Sequence, residues 1–160
     1  MSTTYEKDII VWSTEQAALL RAGKLSALDI EHIAEEIEDV GQSEKRELSS
    51  RMAVLLSHLL KWEYQADRRN KSWTSTIGDQ RKRIVLALKA TPSLRASLTD
   101  ADWLEEAWLD ARSQARTETG LDNFPDSCLW SMNQILSVSY LPVGATVVDE
   151  LAVKTPNNRV

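Results

Sequence analysis

Apolar side chains recur along this chain at steps of three and four, and nowhere alternate with polar ones over a useful length. That is the periodicity of helices. Tyr5, Ile9, Trp12, Gln16, Leu19 and Leu20 place a largely apolar stripe on a first helix that Gly23 can end. Ser26 with Asp29 makes a capping-box-like start for a second, acidic helix, on which Ile30, Ile33, Ile37 and Val40 share a face until Gly41. Ser43 can cap a long third helix with the stripe Leu48, Met52, Leu55, Leu56, Leu59 and Trp62; running to about Gln65, it would span roughly 35 Å. A fourth follows Ser72 with Trp73, Ile77, Ile84 and Leu88, until Pro92 stops it. Asp100 opens a fifth with Leu104, Ala107, Trp108, Ala111 and Ala115, closed by Gly120, and a short sixth covers residues 131–138.

Short connections between amphipathic helices favour antiparallel neighbours. The expected fold is therefore all-α, an antiparallel bundle of about five to six helices around a long central helix 3. Residues 1–142 are expected to form one helical domain and residues 143–160 a weakly structured C-terminal extension, because periodicity fades after Pro142 and Gly144.

Composition narrows the function classes. Cys128 is the only cysteine among 160 residues, which excludes an intrachain disulfide and suits a reducing cytoplasm. The first residues are polar and acidic where a secretory signal would be basic and then apolar, and no stretch approaches the roughly 20 apolar residues of a membrane span. Secretion and membrane insertion are not expected. Charge is uneven: residues 1–60 carry 6 Lys and Arg against 11 Asp and Glu, whereas residues 61–83 carry 7 against 3. A basic island sits inside an acidic chain.

That island holds Arg68, Arg69, Lys71, Arg81, Lys82 and Arg83 around Trp73, a mixture suited to holding phosphates by charge and a base by stacking. The acidic remainder disfavours a long polyanion, and solvation or neutralisation of the acidic second helix is the plainer role. A nucleic-acid-associated factor acting through 68–83 is thus a minor alternative. Asp29, His32 and Glu36 lie along one flank of the second helix, and His58 lies beside the stripe of the third. Carboxylates and imidazoles on facing helices are metal-centre or acid-base chemistry, but a second acid-x-x-His pair is missing. Cys128 lacks a nearby histidine, no serine stands in a glycine-flanked elbow, and no glycine-rich phosphate loop exists. No catalytic residue and no cofactor is assigned.

The segments at 5–23 (YEKDIIVWSTEQAALLRAG), 33–41 (IAEEIEDVG), 55–62 (LLSHLLKW) and 72–83 (SWTSTIGDQRKR), then Phe124, Pro125, Cys128, Leu129 and Trp130, occur together in order. In these the chain resembles the bacterial family called domain of unknown function family 29; Leu129 stands where that family commonly has proline. The resemblance implies an all-helical fold and no assigned activity. It also draws attention to polar residues that packing alone would not require: Glu35, Glu36, Glu38, His58, Arg69, Trp73, Gln80 and Arg81. Helix two against helices three and four would join them in a ligand cleft or a charge-balanced structural network.

The reading favoured by all this is a non-enzymatic, cytoplasmic, helical protein-interaction module. Its expected partners are a second copy, as a homodimer, or another protein, and the surplus of tryptophan supports such contacts. The alternative is a metal-dependent or acid-base enzyme using Asp29, His32, Glu36 and His58.

Overall fold

The computed structural model describes residues 3–143. Every regular element among them is helical, in the order α1 (Ile9–Arg21), α2 (Ile30–Tyr64), α3 (Lys71–Ala90), α4 (Arg95–Leu98), α5 (Ala101–Thr119) and α6 (Met132–Leu136), with 3-10 turns at Leu25–Ala27, Ala66–Arg68 and Pro92–Leu94. The all-helical expectation holds. The C-terminal extension expected from residue 143 lies, from 144 on, outside the described residues.

One boundary is corrected. The second and third predicted helices are a single 35-residue helix, α2, with Gly41 inside it. Glycine stops a helix by taking a left-handed conformation one residue past its end. Gly23 and Gly120 do this, at φ 69° and 73°, and Gly41 does not. The residues after Gly41 (QSEKREL) are mostly good helix formers with no proline, so the helix tolerates a glycine that costs about 1 kcal/mol relative to alanine. The predicted start also moves: Ser26 falls in the turn Leu25–Ala27, and α2 begins after Asp29, whose carboxylate accepts from the His32 amide.

Other ends follow local chemistry. Asp8 caps α1 by accepting from the Ile10 and Val11 amides, and Asp100 caps α5. Asn70, rather than Ser72, caps α3 through the Trp73 amide. Ser131 and Gln134 form a reciprocal capping box on α6.

Backbone contacts divide the chain into a first unit ending at Glu44 and a second starting at Lys45. In the first unit α1 and the opening turns of α2 are joined by side-chain hydrogen bonds, and among its described residues only Trp12 and Gln16 are buried. The second unit holds the extended apolar core. Leu48, Met52, Leu55, Leu56, Leu59 and Leu60 of α2 meet Ile77, Ile84 and Leu88 of α3 and Ala107, Trp108, Ala111 and Ala115 of α5. The alanine stripe of α5 lets its backbone come close, as its spacing predicts. Trp108 meets Trp130 edge-on at 5.7 Å and donates from Nε1 to the Pro125 carbonyl at 3.0 Å.

Candidate functional site

In the first unit, α1 turns Trp12 and Gln16, one helical turn apart, toward the start of α2. There the Trp12 indole donates to Asp29 Oδ2 at 3.0 Å, and the Asp29 amide donates to Gln16 Oε1 at 2.8 Å. Asp29 Oδ2 is also 2.7 Å from His32 Nδ1, while His32 Nε2 lies 3.4 Å from Glu6 Oε1. Tyr5 stacks on the His32 ring at 4.2 Å, meets Trp12 edge-on at 4.9 Å and donates its hydroxyl to Glu36. Two aromatic side chains, Tyr5 and Trp12, and two carboxylates, Asp29 and Glu6, thus surround one imidazole, beside a cleft of about 270 Å³ lined by Thr3, Thr4, Tyr5, Glu6, Trp12, Gln16, Ala27, Leu28, Asp29 and His32.

The electrostatics fix the protonation tendencies. The Asp29 bond raises the His32 pKa above its usual 6.5 and, reciprocally, lowers that of Asp29. The Glu36 carboxylate, accepting the Tyr5 hydroxyl, pushes the Tyr5 pKa up to about 12. His32 is held between Asp29 and Glu6, and with the Tyr5 stack these contacts fasten the N-terminal segment to the start of α2.

The second unit has two separate polar sites. Buried Lys61 forms an ion pair with Glu118 of α5, approaches His58 Nε2 at 3.4 Å and lies 5.2 Å from the Trp73 ring centroid. His58 Nδ1 is 2.9 Å from the Val54 carbonyl, and burial, seconded by the Lys61 charge, lowers its pKa. Arg81 on α3 is only 2% exposed. Its Nε donates to the Ile135 carbonyl at 2.7 Å and its guanidinium to that of Gln134 at 3.3 Å, tying α3 to the end of α6.

Of the residues singled out by sequence, Asp29, His32 and Glu36 belong to the first unit and His58 to the second. Among the described residues no group of three His, Cys, Asp or Glu side chains is placed to hold a metal ion. Glu36 accepts the Tyr5 hydroxyl, while Arg69 donates to the Trp62 carbonyl at 2.7 Å and covers the Trp62 ring at 4.9 Å. Arg69 and Arg81 are also withdrawn from the basic island, leaving Arg68, Lys71, Lys82 and Arg83 exposed. Gln80 Oε1 is buried with no hydrogen-bond partner in the structure.

Sequence reasoning missed Tyr5, Glu6 and Gln16 as partners of Asp29 and His32, and Lys61 and Glu118 as a pair. Tyr5, Trp12 and Gln16 were visible as a stripe, but Gln16 on an otherwise apolar stripe was the sign that it meets a polar group.

The family model for the domain of unknown function DUF29 matches residues 4–141. The chain belongs to that family. No curated protein and no solved structure matches it.

Proposed function

We propose that this DUF29 member is a non-enzymatic helical interaction module that associates with a second copy of itself. The observation that carries this reading is the apolar ridge left uncovered on the first unit. Ile30, Ile37 and Val40 of α2 are 69%, 67% and 65% exposed, and Ile9, Ile10, Val11, Leu20 and Leu25 are exposed beside them in sequence. Single exposed apolar residues are ordinary, but a run at helical spacing on a unit that buries only Trp12 and Gln16 fits a docking face. The polar groups nearby are largely engaged with one another, which supports a structural more than a catalytic role for them.

No helix among the described residues is long and apolar enough to cross a membrane. The half-buried Cys128 thiol, its pKa raised by burial, suits a reducing cytoplasm, where we place the protein.

Light scattering on the full chain after size exclusion tests the reading. The dimer mass is expected at high concentration, and Ile30→Glu with Ile37→Glu, both at exposed positions, should return the monomer. A monomer at every concentration overturns it. A second reading, acid-base chemistry, draws on the paired Asp29 and His32 beside the 270 Å³ cleft; its weakness is that both His32 nitrogens already face carboxylates, Nδ1 that of Asp29 and Nε2 that of Glu6.

A further inference from the structure

The ridge on α2 has a charge that restricts what can cover it. Residues 29–40 contain six acids, Asp29, Glu31, Glu35, Glu36, Glu38 and Asp39, and no lysine or arginine. On the helical wheel Glu31 and Glu38 flank Ile30 and Ile37, and both are exposed. Two such ridges brought face to face would set carboxylates against carboxylates, a juxtaposition that costs affinity. The complement must be apolar at its centre and cationic at its margin.

The second unit carries a surface of that description. Lys82, Val85, Leu86 and Lys89 follow one another at the three-and-four spacing of a single face of α3, and all are exposed. Arg81, Lys82, Val85 and Leu86 line, with Leu136 and Val138, an almost wholly apolar groove of about 370 Å³; Lys89 lies outside it, farther along the same helix face, and no acid occurs in residues 80–99. Lys82 and Lys89 are one heptad apart, about 10.5 Å of rise, as are Glu31 and Glu38. A single helix-on-helix packing can therefore match both ion pairs while Ile30 and Ile37 enter the groove beside Val85 and Leu86. Within the described residues none of these four charged side chains forms an ion pair.

We propose that the α3 and α6 groove of one copy receives the acidic ridge of α2 from a second copy, Glu31 and Glu38 facing Lys82 and Lys89. This rests on the self-association reading and names its surface. Two identical contacts of this kind close a two-fold dimer, and one alone propagates a chain of copies.

The test uses two full-length variants, Glu31→Lys with Glu38→Lys and Lys82→Glu with Lys89→Glu, followed by sedimentation and light scattering. All four positions are exposed, so folding should survive, and far-UV circular dichroism checks it. Each variant alone should dissociate at least about tenfold more readily than the unaltered chain. Mixing the two should restore association, because the opposite faces of the pair are again complementary, and the wild-type contact should weaken with salt. An unaltered chain that is monomeric overturns both this contact and the broader reading. An unaltered chain that associates while both variants associate equally well overturns this contact alone, as does a folded mixture that fails to re-associate.

Discussion

Replacing Arg81 by methionine isolates what one buried cation does for the second unit. Methionine keeps an unbranched stem of comparable length, so most of the packing around the 2%-exposed side chain survives. What disappears are two charge-assisted bonds, to the Ile135 carbonyl at 2.7 Å and the Gln134 carbonyl at 3.3 Å. Bonds to charged groups contribute about 1.5–3 kcal/mol each, and the longer one belongs at the bottom of that range. Against this, methionine escapes the desolvation that burying a guanidinium costs. Because the Ile135 carbonyl would be left buried and unpaired, the loss should win, by about 2–4 kcal/mol. For a chain of 160 residues that is a fall in Tm of about 4–16 °C. Urea unfolding followed by tryptophan fluorescence and far-UV circular dichroism gives the value, with an unchanged slope expected. Arg81→Lys should recover only part of the loss, since one ammonium cannot reproduce the fork. A loss under about 1 kcal/mol for methionine would refute the reasoning, because desolvation would then balance both bonds.

The two histidines should respond to pH with opposite signs. His58, its pKa lowered by burial and then by Lys61, favours the neutral form in the fold, so its contribution to stability is present above pH 6.5 and lost as pH falls below it. His32, raised by Asp29, contributes fully below pH 6.5 and loses that as pH rises through its folded-state value. Ring-proton NMR should show His32 titrating well above His58, and coincident curves would rule the assignment out. At the buried ion pair, Glu118→Gln should destabilise more than Lys61→Met, because it strands a buried ammonium whereas the half-exposed Glu118 can be solvated; thermal melts giving the reverse order would overturn this. Gly41→Ala should stabilise by about 1 kcal/mol, since a Cβ there meets nothing within 4 Å and the backbone is already helical. Hydrogen exchange in residues 38–47 that does not slow would contradict it.

How much of this was legible beforehand varied with the range of the interaction. Apolar spacing alone gave the core positions Leu48, Met52, Leu55, Leu56 and Leu59, and the α5 stripe through Ala107, Trp108, Ala111 and Ala115, because burial is periodic within one helix. Gly23 and Gly120 were legible as stops, whereas Gly41 was not, since a glycine ends a helix only if something rewards its left-handed turn. That one misreading split into two helices what is a single one. Pairings distant in sequence, such as Lys61 with Glu118 and Arg81 with Ile135, leave no local pattern. Arg81 gave only the hint that it shares the Ile77 and Ile84 stripe of α3, where a cation needs an acceptor.

Residues 38–47 of α2 are all exposed, so this tract buries no apolar side chain. A helix so short is marginal in water when it stands alone, and here it is continuous with the rest of the 35-residue α2. Melting of an exposed turn costs less than opening the core, and Lys45 inside it should meet trypsin before any bond in the core does. The glycine in that tract acts as a set screw on compliance: it decides how often the rod slackens.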